Sequence, residues 1–304
     1  MSNEGREEKR MDTKNLVLKI TEIVKILLGD EYNVSVKEVP KNNGLILTGL
    51  AIGKKGHNII PTIYINEFLD LYYAGISIYA IADKIVRTYR ENAVSSQFDV
   101  SYIADFNAVK HKIIFQMINT KLNAALLETI PSVPFLDLSI IFKIYLCSNS
   151  SGTVTVTITN KMMAHWKADI ETIYKVAMEN TPILQEYTLC SMSDVLAELV
   201  PETYVHETIT DIDMFVLTNK EKFCGCGCIL YPYVLENFSN KINNGFFILP
   251  SSRHEVILIS GSEKDANELK TIVRVINMTE ISQDDFLSNN IYYYSMETQK
   301  IIIQ

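Results

Sequence analysis

Residues 250–255, Pro250-Ser251-Ser252-Arg253-His254-Glu255, place a hydroxyl, an imidazole and a carboxylate within four consecutive positions. That set can do nucleophilic chemistry: Ser252 as nucleophile, His254 and Glu255 as acid and base. The spacing works against it. Neighbours on a strand point to opposite faces, so His254 and Glu255 cannot both face Ser252 without a bulge. The competing reading is a tight turn whose hydroxyls bond the main chain.

A second cluster is Cys224-Gly225-Cys226-Gly227-Cys228. Thiolates bind soft metals or exchange electrons, but a zinc knuckle wants Cys-x-x-Cys so that two sulfurs reach one tetrahedral ion. Here one residue separates each pair. Close packing of small residues under the following helix is the favoured reading, and metal or redox use of Cys224, Cys226 and Cys228 the alternative. Lys54-Lys55-Gly56-His57-Asn58 is a basic loop that could touch an anion through Lys54, Lys55, His57 and exposed N–H groups. It lacks the spacing of a phosphate-binding loop. Thr218-Asn219-Lys220 offers Asn219 and Lys220 as polar binding groups. None of these sets implies a cofactor.

The elements that must position these residues follow from periodicity. Residues 12–28 read as a helix capped by Asp12, with Leu16, Leu18, Ile20, Ile23, Val24, Ile26 and Leu27 as a broad apolar face and Gly29 as the stop. Residues 32–39 and 45–52 read as a hairpin around the turn at 40–44. A short strand at 62–65 and helices at 67–73 and 78–90 follow. Strand-like residues 113–118, 153–158 and 214–217 each run into a Thr/Asn pair followed by Lys, at 119–121, 159–161 and 218–220. Thr and Asn there can cap the next helical turn. Residues 136–146 are favoured as a buried strand. Residues 162–166, 170–179, 195–199 and 262–275 read as helices, 246–249 and 256–259 as strands, and 291–303 as a terminal hairpin. The 256–259 strand is apolar on both faces and so belongs in the middle of a sheet. His165-Trp166 carries the sole tryptophan, expected as a packing anchor with a polar handle.

This irregular alternation predicts an α+β fold with mixed, largely antiparallel sheets. Residues 1–11 are polar and charged and read as a flexible tail, and 12–304 as a single unit with two lobes dividing near 131–134. The 304 residues are 47% hydrophobic and 21% charged, which fits a globular chain with a real core. A formal net charge of −8 without a Lys/Arg block argues against nucleic acid as a partner. No stretch has the length of a membrane helix. Five cysteines without an apolar leader point to free thiols and the cytoplasm.

Three strings carry a resemblance: Val216-Leu217-Thr218-Asn219-Lys220; Leu230-Tyr231-Pro232 with Val234-Leu235; and Ile248-Leu249-Pro250-Ser251-Ser252 with His254-Glu255-Val256-Ile257-Leu258. Leu47-Thr48-Gly49-Leu50, Ile60-Pro61-Thr62-Ile63-Tyr64, Phe135-Leu136-Asp137-Leu138 and Thr159-Asn160 agree with it. The chain resembles a bacterial domain-of-unknown-function family, number 5688, over nearly its whole length. The resemblance implies one family-wide unit and brings no assigned activity. The family's pattern has small residues such as Gly-Ala where this chain has the cysteines, which speaks against a cysteine-dependent family activity. The favoured expectation is a binding or interaction protein without catalysis, for a protein or small-molecule partner. A hydrolase using His254, Glu255 and Ser252, and a metal or redox protein, are the alternatives.

Overall fold

A computed structural model describes residues 12–56, 60–92, 101–149, 152–199, 214–261 and 266–304. The expected tail at 1–11, the connection at 201–213 and His57 lie outside these residues. The chain forms two compact units: residues 1–41 with 45–100, and residues 42–44 with 101–304. The division thus falls at 100/101. Pro131 and Pro134 lie inside the second unit, the first just before and the second within an edge strand.

In the first unit, α1 (Thr13–Leu28) is followed by β1 (Tyr32–Pro40), β2 (Ile46–Lys54) and β3 (Thr62–Tyr64). Then come α2 (Asn66–Tyr73) and α3 (Ile78–Asn92). The strands form an antiparallel sheet in the order β1-β2-β3. Helix α1 buries Leu16, Val17, Ile20, Val24 and Leu28, one stripe at helical spacing. Leu18 and Ile26 are exposed, which narrows the apolar face expected for this helix: at 100° per residue they point away from that stripe. The stripe meets Leu50, Ile52, Ile65, Ile81 and Ile85, all without exposed surface. Burial of each such side chain stabilises by about 1.5–3 kcal/mol.

The second unit begins with α4 (Phe106–Val109), β4 (Ile113–Asn119), α5 (Ala124–Leu127), β5 (Ser132–Phe135), β6 (Leu138–Asn149) and β7 (Gly152–Thr157). Next are α6 (Asn160–Trp166), α7 (Ile170–Leu184), β8 (Tyr187–Ser191), α8 (Met192–Leu199) and β9 (Met214–Asn219). It ends with α9 (Val234–Ile242), β10 (Phe246–Leu249), β11 (Val256–Ser260), α10 (Ala266–Thr279), β12 (Tyr292–Ser295) and β13 (Lys300–Ile303). Strand β6 pairs with β4 on one side and with β5 and β7 on the other. Pro134 is tolerated in β5 because an edge strand leaves one side unpaired. The larger sheet has the order β13-β12-β10-β11-β9-β8, and every pair in it is antiparallel. The fold is therefore α+β, as the sequence predicts.

Alternation along β10 divides the second unit's core. Phe246 and Ile248 face a large cluster with Phe115, Phe142, Ile144 and Phe238, while Phe247 and Leu249 face Val273 of α10. Strand β11 is interior, as its two apolar faces require. Trp166 packs at 5.8 Å from Phe106 and its Nε1–H donates to the Ile103 carbonyl (2.9 Å). Helix α7 runs past Pro182 to Leu184, further than its periodicity indicates. Its last turn is tied to β4 and the turn before it: Asn180 Nδ2 donates to the Lys110 and Ile113 carbonyls, and Thr181 Oγ1 accepts the Phe115 N–H.

Candidate functional site

Strands β9 and β11 are neighbours in register, Leu217 opposite Val256. The end of β9 therefore lies beside the start of β11, and the 218–220 corner must meet the 250–255 turn. The contact is direct. Thr218 Oγ1–H and the Gly225 N–H both donate to the His254 carbonyl, at 2.7 and 2.9 Å. The Cys226 N–H donates to the Arg253 carbonyl (3.2 Å). Corner, cysteine loop and histidine turn form one assembly.

The His254 ring is held from both sides. Nδ1 accepts the Cys224 main-chain N–H (3.3 Å), so the ring proton belongs on Nε2, which donates to Asp285 Oδ1 (2.8 Å). Arg253 Nε donates to the same Asp285 oxygen (3.0 Å), and Arg253 Nη2 to Asp284 Oδ2 (2.8 Å). The other Asp285 oxygen accepts from Ser282 Oγ (2.8 Å). Burial works to raise the Asp285 carboxyl, but the hydrogen bonds from Ser282, His254 and Arg253 outweigh it and hold the group below the usual carboxylate range. Phe223 covers the assembly, 5.3 Å from the His254 ring and 5.8 Å from the Arg253 guanidinium.

Ser252 is buried, and its Oγ accepts the His254 main-chain N–H (3.0 Å). This is the turn bonding expected of such hydroxyls. The turn is also zipped to residues 285–288: the Arg253 N–H reaches the Asp285 carbonyl, while Leu287 and Ser288 N–H groups reach Ser251 and Pro250 carbonyls. Glu255 is half-buried on the next position of the strand start. Asn219, 1% exposed, closes the loop after β9: Oδ1 accepts the Phe223 N–H and Nδ2 donates to the Phe223 carbonyl. Lys220 is exposed and pairs with Glu186. Of the sequence candidates, Asn219, Ser252 and His254 are gathered. The aspartates that complete the network, Asp284 and Asp285, were not expected. Their place in a turn opposite the histidine follows only from the 250–253 to 285–288 zipper.

Cys224, Cys226 and Cys228 are buried free thiols, the first capping and the other two within a 3-10 segment, Gly225–Leu230. Among the described residues no group of three His, Cys, Asp or Glu side chains is arranged to hold a metal. Burial pushes all three thiols up, Cys226 most strongly and Cys228 to about 12. They are protonated at neutral pH and pack as small apolar groups. The intervening glycines are required by proximity. A Cβ on Gly225 would meet Thr218 Oγ1 at 2.4 Å and the Asn219 nitrogen at 2.5 Å, and one on Gly227 would meet Phe115 at 2.8 Å.

Open grooves lie on the first unit, two of them notable among the described residues. The smaller, about 320 Å³, is lined by Asn33, Ser35, Gly53, Lys54, Lys55 and Gly56. Lys54 there pairs with Glu31 at 3.6 Å and lies 5.9 Å from the Tyr32 ring. The larger, about 570 Å³, runs between β3 and helices α2 and α3, with Ile63, Phe68, Leu71 and Tyr89 as its apolar lining and Glu67 and Lys84 as its charges.

Among the described residues no helix is long and apolar enough to cross a membrane. No curated protein and no solved structure matches the chain. A family profile matches residues 13–296, over the strings that carry the resemblance read from the sequence, and the chain belongs to that family of unknown function, DUF5688.

Proposed function

We propose that this protein is a binding or interaction protein without catalysis, of bacterial origin and cytoplasmic. The observation that supports this reading is how the reactive side chains of the 250–255 turn are engaged. Both His254 nitrogens, the Ser252 hydroxyl and the Arg253 guanidinium bond the protein itself. A general base needs a nitrogen free for the proton it takes. The 570 Å³ groove of the first unit is an open concave surface whose apolar lining with a few polar groups suits a ligand. Free cysteines, three of them buried, support a reducing compartment.

The test is a thermal-shift screen of metabolites and peptides run in parallel with product detection. The expected result is a ligand-dependent rise in Tm with no product. Specific turnover that disappears in His254→Ala would overturn the reading in favour of hydrolysis at His254, Glu255 and Ser252.

A further inference from the structure

We infer that the first unit binds an extended peptide of mixed charge, which adds as a fourth strand to β3 and places alternate side chains in the adjoining groove. This rests on the binding reading above and names its ligand class.

The inference starts from hydrogen-bond phase. The Ile65 N–H reaches the Thr48 carbonyl, and the Ile52 N–H reaches the Pro61 carbonyl. With Leu50 opposite Ile63, residues 61, 63 and 65 turn their main-chain groups toward β2. Thr62 and Tyr64 must then turn theirs outward, and β3 is the sheet's edge. Among the described residues nothing accepts or donates there. An open edge of this kind is the recognition surface used in strand addition.

The groove lies where such a strand would project its side chains. Opposed residues share a face. Ile63 stands opposite the fully buried Leu50, so a peptide residue opposite Ile63 points to the same, helix-covered side. Phe68 and Leu71 of α2 and Tyr89 of α3 receive it. Glu67 and Lys84 are exposed on the same lining, and neither is ion-paired among the described residues. Opposite charges held apart complement a peptide that carries both a carboxylate and a cationic group.

The experiment selects binders to the full chain from an immobilised library of random seven-residue peptides and measures the winners by fluorescence anisotropy. N-methylation is then scanned along the best peptide. Strand addition requires two out-of-phase patterns. Positions whose N–H faces Thr62 or Tyr64 lose roughly tenfold or more on N-methylation, since a hydrogen bond goes and a methyl group collides with the edge. The position between them tolerates the methyl but is the one at which an apolar side chain matters. Thr62→Pro, which removes an outward N–H, weakens binding by roughly fivefold. Lys84→Glu, an exposed change that leaves the core intact, weakens it by about five- to tenfold and favours more basic peptides.

An N-methyl scan without alternation overturns the proposal, and so does a library that yields no binder. A concentration-dependent dimer of the free chain that Thr62→Pro abolishes overturns it too, by giving the edge to a second copy. A small molecule that raises Tm through the groove, with no peptide selected, removes the peptide assignment while the binding reading stands. Turnover lost in His254→Ala removes that broader reading itself.

Discussion

His254 has a hydrogen-bond donor at one nitrogen and an acceptor at the other, so its neutral ring is a fixed bridge between the Cys224 N–H and Asp285. His254→Ala removes both bonds and leaves a partly buried carboxylate short of a donor, an expected loss of about 1–3 kcal/mol in urea unfolding. Asp285 titrates with the opposite consequence for acid and base. Its folded-state carboxyl is held below the unfolded value of about 3.9, so its contribution is present above that value and is lost as pH falls through the lower, folded one. Asp285→Asn is expected to flatten the stability profile below about pH 4 and to lower it at neutral pH. Gly225→Ala is a steric test: its Cβ would sit 2.8 Å from the His254 carbonyl oxygen, among main-chain atoms that cannot move aside. We expect a loss of about 3 kcal/mol or more, read as a falling Tm. The spacing of residues 250–255 made the turn legible, since a Ser-Ser-x-His string entering a buried strand is short of room for a triad. Asp284 and Asp285 were not legible as partners, because the distance of 31 residues between His254 and Asp285 is closed only by the main-chain zipper of 250–253 with 285–288.

The 3-10 segment carrying the cysteines is an element whose role chemistry can report. Cys190 is exposed, Cys147 half-buried, and Cys224, Cys226 and Cys228 buried. A thiol reagent on the native protein should therefore modify Cys190 first and leave those three until the chain is denatured. Their folded-state pKa values are raised, so the stability they contribute is full below the unfolded value of about 8.5 and is lost as pH rises toward the folded one, about 12 for Cys228. Cys228→Ala should reduce that alkaline slope. Strands were read well where apolar residues ran unbroken, as in β6, or alternated, as in β1. Strand β8, Tyr187–Ser191, escaped because its hydrophobic residues, Tyr187, Leu189 and Cys190, lack the strict alternation of a half-buried strand. The helix end at Leu184 was missed for a different reason: Pro182 reads locally as a breaker, while Asn180 and Thr181 anchor the turn from outside it.

At the scale of the molecule, prolines mark a sheet edge as readily as a linker, and Pro134 stands in the edge strand β5. The division into two compact units has an exception built into it: residues 42–44 belong to the second unit. Asn43, 3% exposed with a φ of 57°, donates through Nδ2 to the Gln283 and Phe286 carbonyls, and its Oδ1 accepts from Asn123 Nδ2. Asn43→Ala should cost about 2–4 kcal/mol, as three bonds go and the left-handed backbone loses a residue that tolerates it. Asn43→Gly keeps the backbone and should be milder by about 1 kcal/mol. The sole tryptophan, Trp166, lies in the second unit, so its fluorescence during urea unfolding reads the effect there.

Residues 42–44 also set a clock. Asn42 bonds Asp284 through its N–H and its side chain, and Asp284 in turn accepts from Arg253. These partners are 242 positions apart in the chain. At roughly 5–20 residues per second, a ribosome delivers the second partner about 12–50 s after the first. The hairpin that carries Asn42 has only local pairings to make and can close at once, yet its tip waits for a segment 242 positions further along the chain. That closure joins residues far apart in sequence, which is the kind that slows folding. The refolding rate of Asn43→Ala, measured against its unfolding rate, would show whether that closure precedes or follows the main barrier.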